Sequence, residues 1–132
     1  MSDASGGSFG GVISSRILIV DDHEVVRMGL RALLAGDARW QVCGEASNGD
    51  ETFEKVMELT PDVVILDLNM PVLNGLEIAK AIRQVKPTIK IIFFSMHEAA
   101  FAARAVGGDA FVAKSSAARD LPLALERVLR IN

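Results

Sequence analysis

The sequence predicts an α/β fold, a doubly wound, five-stranded parallel sheet with helices on both faces. Short runs of consecutive apolar residues recur along the chain, and such runs are typical of strands buried on both sides. Segments with apolar residues at helical spacing separate these runs, so that strands and helices alternate five times. Alternation of this kind indicates a parallel sheet, because each right-handed crossover places a helix over one face of the sheet.

The individual elements follow from these patterns in chain order. Strands are predicted over residues 16–20, 41–46, 62–67, 89–94 and 110–113. Helices are predicted over residues 24–35, 50–59 and 98–106, and a further helix is predicted from near residue 75 to before residue 87. A last helix is predicted to follow the fifth strand and to end at about residue 131. In the second helix, Phe53, Val56 and Met57 are expected to face the core. Pro122 lies inside the last helical pattern, so this helix is expected either to start late, with Asp120 as its cap, or to be irregular in its first turn.

Residues 1–15 are set apart by a composition rich in Gly, Ser and Ala. With little to bury, they are expected to be a flexible leader, natural or left from expression, so that the folded domain spans residues 16–132. Cys43 is the single cysteine of the sequence, which excludes an internal disulfide and suits a reducing cytoplasm. A buried, apolar role is predicted for Cys43 in preference to a reactive thiol.

The composition excludes several classes of protein. Half of the 132 residues are apolar and 23% are charged, which is typical of one soluble globular domain. The net charge of −3 provides no basic surface for nucleic acid, so this chain by itself is not expected to bind DNA or RNA. No apolar stretch reaches the ~20 residues that span a bilayer, and the N-terminus lacks the pattern of a signal peptide. We therefore expect a cytoplasmic protein that does not enter a membrane.

Asp67 ends the third predicted strand, where a carboxylate is either an ordinary turn residue or part of a ligand site. The carboxyl ends of parallel strands lie along one edge of a sheet, and this edge is expected to gather further polar residues: Asp21, Asp22, Ser95 and Lys114. Each has an ordinary explanation as a cap, a turn hydroxyl or a solvated charge, but coincidence does not account for all five. Crowded carboxylates repel one another, and oxygen ligands with open positions suit Mg²⁺, which would relieve the repulsion.

Several motifs resemble those of a known family. They are Ile19-Val20-Asp21-Asp22-His23, Arg27-Met28-Gly29-Leu30, Val64-Ile65-Leu66-Asp67-Leu68-Asn69-Met70-Pro71, Asn74-Gly75, Ser95-Met96-His97 and Ala113-Lys114-Ser115. On these motifs, residues 16–131 resemble the CheY-like receiver domain of two-component response regulators, in the subfamily usually joined to a LuxR/NarL-type helix-turn-helix. The resemblance implies a flavodoxin-like sheet with strand order 2-1-3-4-5.

The resemblance also implies a function. Asp67 would accept a phosphoryl group from a phosphohistidine of a sensor kinase, and Ser95 and Lys114 would bind the phosphoryl oxygens after transfer. The implied ligands of Mg²⁺ are Asp22, Asp67 and the main-chain carbonyl of Asn69, with Asp21 acting through water. Ser95 and Phe111 are the implied switch residues, although Phe111 is equally well explained as a core residue of the fifth strand. Physical chemistry agrees, because phosphoryl transfer depends on positioning and charge neutralisation.

The sequence departs from the family between Ser95 and Lys114. This segment is shorter than usual by roughly three residues, nearly one helical turn of ~3.6 residues. We therefore expect the helix over 98–106, fourth in chain order, to be short, displaced or mobile, which puts the usual output surface in doubt. His97 is either a loop histidine or an influence on the lifetime of the acyl phosphate. Neither His23 nor His97 has a second histidine or cysteine at metal-ligand spacing, so no zinc site is expected.

The sequence thus predicts a phosphorylation-dependent signalling switch and not an enzyme. The expected partners are a sensor histidine kinase and, on phosphorylation, a second copy of the chain. DNA is expected only through a helix-turn-helix domain absent from this chain. The alternatives are a stand-alone receiver and an aspartyl-phosphate phosphatase, although such phosphatases usually carry an acid where this sequence has Asn69. A flavin-binding module would need a phosphate cradle that the loops lack, and the complete acidic set argues against a receiver that is never phosphorylated.

Overall fold

The computed structural model describes residues 14–70, 75–96 and 108–130. The strands are β1 (Ser15–Val20), β2 (Trp40–Ala46), β3 (Val63–Asp67), β4 (Lys90–Ser95) and β5 (Ala110–Ala113). The helices are α1 (Glu24–Ala35), α2 (Gly49–Leu59), α3 (Gly75–Val85) and α4 (Ala117–Leu129), and a 3₁₀ turn over Lys114–Ser116 leads into α4. All strands are parallel and form one sheet in the order β2-β1-β3-β4-β5. The predicted fold class and strand order are confirmed.

Two hydrophobic cores hold the helices against the sheet, because neighbouring residues of a strand point to opposite faces. In β1, Leu18 and Val20 belong to the core formed with α2 and α3, whereas Ile17 and Ile19 belong to the core formed with α1 and α4. Every residue of β3 is buried, so this central strand is covered on both faces. In the described part of the chain, no helix is both long enough and apolar enough to cross a bilayer.

The strands differ from the prediction by one residue at several ends. β1 begins at Ser15, inside the predicted leader, because the Ser15 N–H donates to the Arg39 carbonyl at 2.8 Å. β2 begins at Trp40, whose side chain is buried. β4 is shifted by one residue and ends at Ser95. Residues 1–13 of the predicted leader lie outside the described residues.

Helix α2 begins one residue earlier than predicted, and its buried face matches the prediction only in part. Asn48 caps the helix, since its side chain accepts a hydrogen bond from the Glu51 N–H at 2.8 Å. Met57 was predicted to face the core but is 54% exposed. Val56 is buried as predicted and Phe53 is partly buried, whereas Thr52, one turn before Val56, is buried although it was not predicted to be. A threonine is tolerated there because its hydroxyl donates to the Asn48 carbonyl at 2.7 Å, which leaves no unsatisfied polar group in the core.

Helix α4 does not start late, so the first of the two alternatives for Pro122 is wrong. The helix begins at Ala117, and Asp120 is not its cap. Asp120 instead accepts a hydrogen bond from the Ser116 hydroxyl at 2.7 Å. The preceding 3₁₀ turn agrees with the second alternative, an irregular start. Pro122 has no N–H to donate to the Ala118 carbonyl, so the start of this helix lacks one of its regular hydrogen bonds.

Cys43 lies at an irregularity of β2. Ile17 pairs with Val42 and Leu18 with Gly44, so Cys43 is the extra residue of a bulge. The thiol is free and partly buried, less completely than predicted. Burial raises the pKa of Cys43, which keeps the thiol protonated at neutral pH and favours the apolar role over a reactive one.

Gly75 begins α3 directly against the peptide of Asp67. A Cβ atom at this position would lie 2.5 Å from the Asp67 carbonyl oxygen and 2.8 Å from Leu68 Cα. These are backbone atoms that cannot rotate away. We expect Gly75→Ala to lower the free energy of unfolding by about 1–3 kcal/mol, because an added atom overpacks this position. Urea denaturation measures the change.

Gly29 provides the matched control for this substitution. It lies within α1, and apart from the backbone of the helix itself a Cβ atom there would meet no heavy atom within 4 Å. Gly29→Ala should therefore raise the free energy of unfolding by about 0.5–1 kcal/mol, because alanine restricts the unfolded chain and favours the helix. If both substitutions moved stability in the same direction, the close approach at Gly75 would not be what limits that position.

Candidate functional site

The carboxyl ends of the parallel strands meet at one edge of the sheet. The five polar residues predicted for this edge are all brought there: Asp21, Asp22, Asp67, Ser95 and Lys114. Three of them, Asp21, Asp67 and Ser95, are almost completely buried. Because a buried polar group needs a partner or a ligand, their contacts decide what this edge can do.

Asp67 ends β3 with its carboxylate buried and 1% exposed. Its Oδ1 accepts a hydrogen bond from the Asn69 N–H at 3.0 Å, and its Oδ2 lies 3.6 Å from Lys114 Nζ. Burial raises the pKa of Asp67, and repulsion from Asp21 and Asp22 adds to the rise, while the Asn69 N–H and the Lys114 ammonium oppose it. The carboxylate is thus fixed in orientation but incompletely compensated in charge.

Lys114 belongs to the site and is not a solvated charge. Its side chain is 13% exposed, and Nζ lies 2.9 Å from Asp21 Oδ2. The same nitrogen lies 5.6 Å from the centre of the Phe94 ring, within the range of a cation–π contact. One ammonium therefore serves Asp21 and Asp67 together, and Asp22 adds a third carboxylate nearby. The site is acidic overall, as the sequence predicted.

The acidic residues offer ligand atoms for a cation. One atom each from Asp21, Asp22, His23 and Asp67 lies within 4.8 Å of all the others. Asp21 Oδ2 and Asp22 Oδ1 are buried, and neither has a hydrogen-bond partner among the described residues. Each lies close to a nitrogen instead, Asp21 Oδ2 to Lys114 Nζ at 2.9 Å and Asp22 Oδ1 to His23 Nδ1 at 3.1 Å. Buried oxygens of this kind fit a hard divalent cation such as Mg²⁺. The sequence did not foresee the imidazole of His23, whose Nδ1 lies 3.1 Å from Asp22.

Ser95 is fully buried at the end of β4. The Asn69 side-chain amide donates to the Ser95 hydroxyl at 3.1 Å, which joins the end of β4 to the loop after Asp67. Strand pairing places Ser95 beside Ala113, the residue that directly precedes Lys114. The assignment of the Asn69 carbonyl as a metal ligand stays a prediction.

Phe111 is partly buried in β5 and packs against the core on the side of α2 and α3. It pairs with Phe93, which is fully buried. This position agrees with a core residue and also with a side chain at the margin of the core that can move, so the switch role stays a prediction. His97 and the predicted helix over 98–106 lie outside the described residues.

Sequence reasoning missed the part that Arg27 plays at this edge. Its Nη1 donates to the Asp21 carbonyl at 2.7 Å, and its Nε donates to Glu45 Oε1 at 3.0 Å. Glu45 pairs with Ile19 in the sheet. Arg27 and Glu45 are far apart in sequence, so the signal that could have found the contact was the strand order combined with the helical phase of α1.

Comparison with known proteins agrees with this geometry. Residues 17–126 match the family described as response regulator receiver domain. A crystal structure of a LuxR-family two-component response regulator from Aurantimonas sp. SI85-9A1 superposes with a TM-score of 0.83 at 37% sequence identity, covering 89% of this chain and 86% of that one. The chain belongs to the receiver domain family of response regulators, the signalling proteins of two-component systems.

Two curated relatives narrow the subfamily. Response regulator GacA of Pseudomonas viridiflava is 41% identical over 83 residues, which are 63% of this chain and 39% of GacA. Response regulator protein VraR of Staphylococcus aureus is 32% identical over 118 residues, which are 87% of this chain and 56% of VraR. Together with the LuxR-family structure, they confirm the predicted LuxR/NarL-type kinship. The chain spans between about two fifths and just over half of the length of these two relatives.

Proposed function

We propose that Asp67 accepts a phosphoryl group from a phosphohistidine of a sensor histidine kinase. The observation that carries the proposal is the setting of Asp67, a buried carboxylate with one oxygen held by the Asn69 N–H and the other beside Lys114 Nζ. Family membership supports the same role. An Asp67 oxygen would bond to phosphorus as the bond from phosphorus to the histidine nitrogen breaks, and the product is an acyl phosphate.

Asp22, Asp67 and the main-chain carbonyl of Asn69 would hold Mg²⁺, with Asp21 acting through water. The fit rests on the two buried oxygens that accept no hydrogen bond within the described residues, Asp21 Oδ2 and Asp22 Oδ1. Bound Mg²⁺ would supply positive charge against the phosphoryl oxygens. The chain itself supplies a second positive charge, because Lys114 Nζ lies close to both Asp21 and Asp67.

Ser95 and Phe111 would convert phosphorylation into a change of shape. A phosphoryl group adds negative charge at Asp67 and would attract donors. Lys114 Nζ already lies 3.6 Å from Asp67 Oδ2, and Ser95 Oγ is hydrogen-bonded to Asn69 in the loop that follows Asp67. Movement of Ser95 toward the phosphoryl group would break its hydrogen bond with Asn69. The space left beside β4 would then admit Phe111.

The partners in this proposal are a sensor histidine kinase and a second copy of the chain after phosphorylation. The receiver would regulate an output and would not itself be an enzyme. In a longer regulator, DNA would be bound by a helix-turn-helix domain, as the LuxR-family kinship suggests. The response regulator would act in the cytoplasm.

The proposal is tested by intact-mass measurement after incubation with Mg²⁺ and acetyl phosphate. We expect one acid-labile phosphoryl adduct on the wild-type domain and none on Asp67→Ala, because no other carboxylate of the site ends the central strand. Asp62→Asn is the matched control, since Asp62 immediately precedes the same strand at its opposite end. This variant should keep the adduct. An adduct that survives in Asp67→Ala would contradict the assignment.

A further inference from the structure

Arg27 ties the loop that carries the acidic residues to the end of β2. In the first turns of α1, its guanidinium donates to the main-chain carbonyl of Asp21 at 2.7 Å and to the Glu45 carboxylate at 3.0 Å. The N–H of Asp21 donates in turn to the Ala46 carbonyl at 3.1 Å. Both sides of the Asp21 residue are therefore anchored to consecutive residues of β2, Glu45 and Ala46.

This double anchor sets the position of two carboxylates. Asp21 and Asp22 follow β1 directly, and their side chains are displaced by any rotation of the peptide that joins them. The carbonyl that Arg27 holds belongs to that same peptide. Arg27 is 17% exposed and Glu45 26% exposed, so their ion pair is partly shielded from water and holds the guanidinium in one orientation.

We infer that Arg27 is a positioning residue for the metal site, which holds the Asp21–Asp22 peptide in the orientation that cation binding requires. The inference deepens the proposed function and rests on it for the identity of the cation. Within the described residues Arg27 contacts neither Asp22 nor Asp67, so its positioning effect passes through the Asp21 carbonyl. Supporting groups of this kind orient ligands and commonly change metal affinity about 10–100-fold when removed.

Arg31 offers a matched control on the same helix. It also forms an ion pair with Glu45, through Nη1 and Oε2, but within the described residues it makes no hydrogen bond with Asp21. Like Arg27→Gln, Arg31→Gln therefore removes one positive charge and one ion pair with Glu45, but it leaves the Asp21 carbonyl bound to Arg27. Glu45→Gln removes the negative charge that attracts both arginines but keeps one acceptor oxygen, so it should have an intermediate effect.

For Arg27→Gln, the loss of a positive charge and the loss of the contact with Asp21 predict opposite changes in Mg²⁺ affinity. Removing a positive charge near an acidic site strengthens cation binding by simple electrostatics. Releasing the Asp21–Asp22 peptide weakens it. We expect Mg²⁺ to bind Arg27→Gln about 10-fold more weakly than wild type and Arg31→Gln as tightly as wild type or slightly more so, in calorimetric titrations without a phosphodonor.

A kinetic measurement separates positioning from general damage to the fold. With acetyl phosphate, Arg27→Gln should need a higher Mg²⁺ concentration for half-maximal adduct formation but reach the wild-type rate at saturation. Arg27→Lys keeps the charge and one donor, so its Mg²⁺ affinity should lie between those of wild type and Arg27→Gln. Arg27→Lys also serves as the test variant if Arg27→Gln does not fold.

The outcomes are distinguishable. Equal or tighter Mg²⁺ binding by Arg27→Gln, or equal losses in Arg27→Gln and Arg31→Gln, would overturn the positioning role. A wild-type domain that binds Mg²⁺ but takes up no phosphoryl group would refute the proposed function while the Mg²⁺ titrations still decide the role of Arg27. A wild-type domain that binds no Mg²⁺ would overturn both.

Discussion

Asp67→Asn should make the metal-free domain more stable while it removes phosphoryl acceptance. Asp67 is buried, its pKa is raised by burial and by Asp21 and Asp22, and one lysine is shared between it and Asp21. An amide of the same shape relieves this unfavourable charge and can still accept the hydrogen bond from the Asn69 N–H. We expect the free energy of unfolding in EDTA to rise by about 1–2 kcal/mol, the scale on which neutralising buried charges acts.

The pH dependence of this gain has a definite sign. The pKa of Asp67 is raised in the folded state, so the folded protein binds a proton more tightly than the unfolded chain. The stability associated with that proton is fully present below the unfolded pKa of about 3.9 and is lost as the pH rises through the folded pKa. The advantage of Asp67→Asn should therefore grow from acidic to neutral pH and then level off, in urea denaturation across that range.

Mg²⁺ should reverse the order of stability. Wild type should gain about 2.7 kcal/mol when the free Mg²⁺ concentration is 100-fold above the dissociation constant, whereas Asp67→Asn, which has lost a ligand, should gain much less. Glu54→Gln, at an exposed position of α2, is the control for loss of one negative charge. It should change neither the metal-free stability nor the gain in stability from Mg²⁺ appreciably. A fall in metal-free stability for Asp67→Asn would show that the carboxylate is well compensated and that the crowding described above is absent.

Lys114→Ala should have the opposite effect on the metal-free domain. Lys114 Nζ lies 2.9 Å from Asp21 and 3.6 Å from Asp67 with little exposure to water. Its removal leaves buried carboxylates without their shared ammonium, and breaking a buried ion pair costs about 3 kcal/mol or more. Mg²⁺ should nevertheless bind this variant more tightly than wild type, because the competing positive charge is gone. Urea denaturation and calorimetric titration measure the two quantities.

Lys80→Ala is the control for Lys114→Ala, since Lys80 is exposed on α3. Its effect on the free energy of unfolding should stay within about 0.5 kcal/mol, as is usual at the surface, and its Mg²⁺ affinity should be that of wild type. If Lys114→Ala lost stability and Mg²⁺ affinity together, Lys114 would be supporting the fold of the site as a whole, and charge competition would not explain its role.

The sequence was sufficient to predict the fold and to predict which residues gather at the site. The site residues follow the carboxyl ends of strands, and the order of strands and helices along the chain shows where those ends lie. Asp67 and Ser95 each end an apolar run, and parallel topology places such ends at one edge. The burial of individual helix residues was harder to predict. Met57 is apolar and in helical phase, yet the core receives Thr52, whose hydroxyl is satisfied by a carbonyl of its own chain segment.

Contacts between distant segments could not be read from local spacing. Arg27 meets Glu45 only because β1 and β2 are neighbours in the sheet. The close approach of Gly75 to the Asp67 peptide depends in the same way on how α3 begins. Each of these requires coordinates, since the residue types alone allow many partners.

The central claim is that Asp67 is the residue that carries the phosphoryl group. The most direct measurement is borohydride reduction of the phosphorylated domain followed by peptide mapping, because an acyl phosphate on aspartate is reduced to homoserine. We predict homoserine at position 67 alone, formed only in samples treated with both Mg²⁺ and acetyl phosphate. Homoserine at position 21 or 22, or a stable adduct that borohydride does not reduce, would contradict the account.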